Sequence, residues 1–264
     1  MNMYHLKPTT DFTYTALEHL LRSLLSQGYA FQTFEQFIRQ PEKKAIILRH
    51  DVDKRARNSY RTAVIENTLG IKGSYYFRIT GQSNKPWVIS EITSLGHEIG
   101  YHYEDLSLSC GDPEIAIAAF ERNLQYFRSY YPVSTICMHG SPSSKWDNRD
   151  VWKKYNYRDF NIIAEPYFNL AANEVLYLTD TGRKWNGEKF SVRDKMEQPG
   201  FKELKGKLKS TRDIIDALHR QELPQKIMIT IHPQRWTNNP ASWLLEYIAQ
   251  HLKNLLKRIL FVRK

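Results

Sequence analysis

The sequence predicts a single α/β domain whose mainly parallel sheet, of about seven strands, closes toward a barrel. Apolar, strand-like runs alternate with segments of helical period along the 264-residue chain. Polar, ligand-capable side chains follow five of those runs, as they do where strand ends converge on one face of a barrel. No linker, low-complexity tract or internal repeat divides the sequence. It therefore reads as one domain over 1–264: a helical lead-in at 1–44, the barrel motifs at 45–236 and a C-terminal helix at 240–264.

Leu17, Leu20, Leu21, Leu24 and Leu25 recur at helical spacing within 14–27, and Gly28 is a natural C-terminal stop. A short helix at 34–39 ends before Pro41. The opening strand, 45–53, runs Ala-Ile-Ile-Leu-Arg-His-Asp-Val-Asp. A helix at 57–69 closes on Gly70, and the aromatic run 73–79 is the next strand. A helix at 88–95 stops at Gly96 and leads into a short strand at 98–102. Asp112 is placed to cap a helix over 113–130, followed by a strand at 134–138. The second half keeps the rhythm: a helical stretch at 148–155, strands at 160–164 and 175–178, a helix at 211–220, a buried strand at 226–231 and a last helix at 242–260.

The chain is 41% hydrophobic, enough for one large core. No apolar stretch reaches the length of a membrane span, and the polar Met1–Thr15 segment has no signal-peptide pattern, so a cytoplasmic protein is expected. Cys110 and Cys137 have neither metal-ligand nor disulfide-framework spacing and read as free thiols. The net charge of +10 is concentrated in two places. Residues 183–212 hold ten Lys/Arg against four Asp/Glu, and 253–264 hold five basic residues and no acidic one. A loop-like excursion and a tail without nucleic-acid motifs do not make a nucleic-acid-binding protein; an anionic substrate or membrane surface suits the same charge.

Side chains alternate along a strand, so Asp51 and Asp53 share a face while His50 and Val52 take the other. Two carboxylates held together are costly unless a cation or shared proton relieves them. This makes the pair a candidate metal or acid/base site. Asp51 and Asp53, His102, His139, Asp180 and His232 all follow apolar strands. His97 precedes its strand and belongs to the opposite end. In the last helix, Leu245, Ile248, Leu252, Leu255, Ile259 and Val262 recur in three- and four-residue steps. The expectation is an outer helix packing that stripe on the core; a basic amphipathic helix on an anionic membrane and a partner-binding seam are the alternatives.

The motif Ile-Leu-Arg-His-Asp-Val-Asp, then Gly-Ser-Tyr-Tyr-Phe, Leu-Gly-His-Glu-Ile-Gly-Tyr-His and Ile-Thr-Ile-His-Pro together resemble the NodB-type polysaccharide deacetylases, over about 45–236. The resemblance implies a distorted (β/α) barrel and a metal-dependent hydrolase removing N- or O-acetyl groups from amino sugars and glycans. It implies that Asp51 is the general base, Asp53 a metal ligand, His102 a metal histidine and His232 the general acid. The family's two aspartates are usually adjacent; here Val52 intervenes. Its second metal histidine falls at Leu106, which cannot ligate. His139, Glu104 and Asp105 are the candidates to fill that gap, with His139 favoured because strand ends converge. The family usually places an arginine with prolines near that point, serving the catalytic aspartate.

An Asp53–His102–His139 set leaves room for water and substrate around a divalent ion, with zinc the leading candidate. Asp180 is placed to orient His232 or contact substrate, Trp185 to wall the pocket, and Trp146 to stack on a sugar ring. The substrate is expected to be a small molecule or glycan intermediate. The alternatives are a C–N hydrolase on a non-sugar substrate, or a catalytically silent barrel that binds a glycan or partner.

Overall fold

The computed structural model describes residues 10–140, 144–186, 193 and 195–261, the last five as backbone. Residues 141–143 and Val262, and the side chain of Ile259, fall outside this description. Central to the fold is strand β2, Ala45–Val52, buried along its whole length. One edge of β2 is shared end to end by β1 (Ala30–Gln32) and β3 (Ser74–Phe77), and the other is covered by β7 (Lys226–Ile231). β4 (Glu98–Tyr103) and β5 (Ile136–Met138) continue beyond β3, and β6 (Leu176–Thr179) lies beyond β7. Every pairing is parallel. The sheet order β5-β4-β3-β2-β7-β6 curls into a half-barrel.

Helices connect these strands. They are α1 (Tyr14–Ser26), α2 (Phe34–Arg39), α3 (Ala56–Thr68), α4 (Pro86–Ser94), α5 (Asp105–Leu108), α6 (Pro113–Arg128), α7 (Pro166–Asn169), α8 (Lys202–Lys207), α9 (Thr211–His219) and α10 (Pro240–Phe261). Of these, α1, α3, α4, α6 and α9 pack on the outer face. Local sequence sets the clearest boundaries. Thr33 and Gln36 form a capping box at α2, as do Ser210 and Asp213 at α9, and Asp112 caps α6 through the N–H groups of Glu114 and Ile115.

Strand alternation divides the apolar side chains between two faces. Ile46, Leu48, Leu176, Leu178, Ile227, Ile229 and Ile231 point outward to α1 and α9, while Tyr75, Ile99, Tyr101 and Ile136 pack outward elsewhere. Ala45, Ile47, Tyr76, Cys137, Tyr177 and Met228 fill the concave interior with Phe34, Ala164 and Leu170. Gly100 on β4 is required there, because a Cβ would stand 2.3 Å from Tyr76 Cε1. The Tyr76 ring uses that space, and its hydroxyl is 2.8 Å from Thr135 Oγ1.

Three expectations change. The segment 160–164 is not a strand: Tyr157–Phe160 is a 3-10 turn, and only Ala164 bridges Thr135. The stretch expected to be helical at 148–155 is a 3-10 helix, Asn148–Lys153. The third concerns α10, which turns its polar side inward. Glu246, Gln250 and Asn254, one turn apart, are buried, whereas Leu245, Ile248, Leu252 and Leu255 are exposed. The surface beneath is polar: Lys54, Arg55 and the Gly182 carbonyl face the helix. The nearby apolar core is already closed by Phe12, Trp185 and Trp236. Among the described residues, no helix is long and apolar enough to cross a membrane.

Candidate metal centre

The concave alternation continues past the strand ends and assembles the site. The side chains at positions 49, 51 and 53 leave β2 on one side, that of His102 leaves β4, those at 137 and 139 leave β5, and those at 230 and 232 leave β7. Parallel pairing places all these ends on the same rim. Asp53, His102 and His139 come together there, their ligating atoms all within 4.8 Å of one another.

Each histidine is locked by its Nδ1. His102 Nδ1–H donates to the Cys137 carbonyl at 2.9 Å, His139 Nδ1–H to Glu104 Oε2 at 2.9 Å, and His232 Nδ1–H to Asp180 Oδ1 at 2.6 Å. A proton on Nδ1 leaves the Nε2 lone pair of a neutral imidazole available, and all three Nε2 atoms face Asp53. From Asp53 Oδ1, His139 Nε2 is 3.4 Å away and His102 Nε2 3.6 Å; from Oδ2, His232 Nε2 is 3.9 Å away. Donors bound at about 2.1 Å to a tetrahedral ion stand about 3.4 Å apart. Asp53 Oδ1 is buried without a hydrogen-bond partner, whereas Oδ2 accepts from Gln234 Nε2 at 3.1 Å. A carboxylate oxygen orphaned between two imidazole lone pairs is a donor set that could hold a divalent cation.

Burial pushes the Asp53 carboxyl up, but the three histidines beside it, His102, His139 and His232, outweigh that and hold it well below the usual range. Burial lowers His102, yet Asp51 and Asp53 together raise it. Asp53 and His139 are the partly open members, with side chains 21% and 14% exposed, against 2% for His102. Solvent therefore reaches the cluster from the Asp53–His139 side.

Asp51 sits deeper. Arg49, two residues earlier on the same face, grips it with two bonds, Nε to Oδ1 at 2.8 Å and Nη2 to Oδ2 at 2.5 Å. Arg49 is itself buried against Tyr167, whose ring lies 5.3 Å from the guanidinium. Asp51, His102 and Cys137 form a second cluster of ligand-capable atoms. It is buried throughout, and both Asp51 oxygens are already bound to Arg49, so the partly open Asp53 cluster is the candidate centre.

No protein-family model, curated protein or solved structure matches the chain.

Glu104 and Asp105 are not ligands. Glu104 is held by Arg78 through two 2.7 Å bonds and accepts from His139, so it orients that imidazole. Asp105 turns to the convex side, accepting from Tyr101 Oη at 2.8 Å and Asn123 Nδ2 at 2.8 Å. Leu106 is buried in the outer core.

Asp180 is fully buried and touches no open space. Its carboxylate receives His232 N–H at 3.0 Å, Trp236 Nε1–H at 2.7 Å, Arg235 Nη1 and His232 Nδ1–H. Burial raises its pKa, but Arg235 and His232 bring it below the ordinary value. It positions His232 and is not a substrate contact. Trp185 is also misplaced as a pocket wall: it is 1% exposed, packs with Phe12 and Trp236, and donates to Thr211 Oγ1 at 2.9 Å. Trp146 is half-buried on Gly111, where a Cβ would collide with its indole, and Lys145 Nζ lies 4.6 Å from its ring. Its loop nevertheless reaches the site through Asn148 Nδ2, which donates to the His139 carbonyl at 2.9 Å.

Glu104, Gln234 and Arg235 are supporting residues that no motif singled out for these roles. Arg49 had a signal, since alternation puts it on the Asp51 face. Arg235 follows His232-Pro233 directly. Glu104 stood out only as a candidate ligand, because its partner Arg78 comes from another strand end.

Proposed function

We propose that the chain is a metal-dependent hydrolase that removes an acetyl or similar acyl group from a sugar or glycan intermediate, as a divergent relative of the NodB-type polysaccharide deacetylases. One observation carries the reading: Asp53 stands between two imidazole lone pairs, with Asp51 behind it and the aspartate-oriented His232 on the other side.

Asp53, His102 and His139 would hold the ion, and two nitrogens with one carboxylate suit zinc. When bound, such an ion lowers the pKa of water and polarises an acyl carbonyl. Asp51, fixed by Arg49, accepts the proton from the attacking water. His232 hands a proton from Nε2 to the departing nitrogen or oxygen, and Asp180 stabilises the imidazolium and keeps Nε2 aimed inward. A silent binding barrel has no need of an Asp–His dyad beside an ion site, which favours the hydrolase.

The test is acetate release from a panel of N-acetylated amino sugars by the zinc-loaded chain. Asp51→Asn should lower turnover by about 10²–10⁴-fold while keeping the ion. Loss of the ion in that variant would reverse the roles of the two aspartates.

A further inference from the structure

The inverted helix α10 calls for an occupant of its outer face. Leu244, Leu245, Ile248, Leu252, Leu255 and Leu256 are each 48–65% exposed, a larger apolar arc than the rest of the chain displays among the described residues. Its inner face is fixed to the protein by polar bonds. Glu246 lies 3.5 Å from Arg55 Nη1 and 3.7 Å from Lys54 Nζ, and Asn254 Nδ2 donates to the Gly182 carbonyl at 2.9 Å. Lys54 and Arg55 follow Asp53, and Gly182 follows Asp180, so α10 is tied to two loops that leave the metal centre.

We propose that α10 is a membrane-surface element that lies in the headgroup region of an anionic bilayer and holds the metal-centre rim beside it. The charge pattern selects this occupant. Glu246 is the helix's single acidic residue and is turned inward, while residues 253–264 add five basic residues and no acidic one. An outward apolar arc with basic residues and no acid is the pattern of an interfacial helix on anionic lipid.

A second copy of the chain fits less well. The 245–248–252–255 steps form a coiled-coil seam, but Leu244 and Leu256 widen the arc beyond such a seam. The sequence positions flanking it, Leu244, Ala249, His251, Leu256 and Arg258, offer no acid to pair with a base across a symmetric interface.

The probe is a pair of vesicle preparations, phosphatidylcholine alone and phosphatidylcholine with a third phosphatidylglycerol, sedimented with the full chain. The protein should pellet with the anionic vesicles, stay in solution with the neutral ones, and be released by high salt. Leu252→Glu with Leu255→Glu should reduce the partition coefficient at least about tenfold, and Lys253→Gln about fivefold. Both positions are exposed, so the melting temperature should not change. Lys253→Gln also tests the idea without touching the apolar face. Absence of anionic-vesicle binding, equal binding to neutral vesicles, or binding indifferent to the paired leucine change would overturn the proposal. So would a dimer in sedimentation equilibrium that the leucine change dissociates without any vesicle binding. Zinc content measured on the same preparations should be unaffected, which separates this outcome from failure of the hydrolase reading.

Discussion

Glu104 shows how one side chain could serve the proposed metal site without touching an ion. It accepts from His139 Nδ1 while Arg78 holds both its oxygens. Glu104→Gln removes the charge that fixes His139 and should weaken zinc affinity by about 10–100-fold in a chelator competition, leaving the fold intact. Unchanged affinity would mean that His139 needs no support. Its neighbour Asp105 behaves differently. Burial pushes its carboxyl from 3.8 up to about 6, with Tyr101 and Asn123 opposing. The retained proton stabilises the fold fully below pH 4, and that contribution is lost as pH rises through about 6. Asp105→Asn should abolish this decline, worth on the order of 2–3 kcal/mol, in urea midpoints measured between pH 4 and 7. A parallel decline in wild type and variant would place the titration elsewhere. Alternation alone put Asp51 and Asp53 on one face and His50 on the other, where it stacks on Tyr75 at 4.0 Å. It could not tell that Asp105 would turn outward, because strand β4 has ended and the backbone is entering α5.

At the scale of elements, the pairing of β3 with β4 depends on an absent side chain. Gly100→Ala would drive a Cβ to 2.3 Å from Tyr76 Cε1 and 3.0 Å from the Thr135 carbonyl. The expected loss is about 1–3 kcal/mol in urea denaturation, partly restored by Tyr76→Leu. Full stability in the single variant would show that the Tyr76 ring can move at no cost. Long periodic segments and capped helices were legible in the sequence: α2, Phe34–Arg39, and β7, Lys226–Ile231, lie where their patterns put them. β1 was not, since three residues carry no period and its pairing depends on β2. Periodicity also gave α10 two faces without saying which one turns in. That choice is made by Lys54, Arg55 and the Gly182 carbonyl, which are far away in sequence.

For the whole molecule, parallel topology is what turns scattered strand ends into a site. β2, β4, β5 and β7 all deliver their C-terminal ends to one rim, so residues separated by up to 181 positions, Asp53 and Gln234, hydrogen-bond there. The central claim is that this rim holds one divalent ion through Asp53, His102 and His139. Elemental analysis of the full chain, loaded with zinc and then desalted, tests it most directly. One ion per chain is expected in the wild type and in Asp51→Asn, and none in Asp53→Ala combined with His139→Ala. Zinc retained by the double variant, or absent from a folded wild-type chain, would contradict the account.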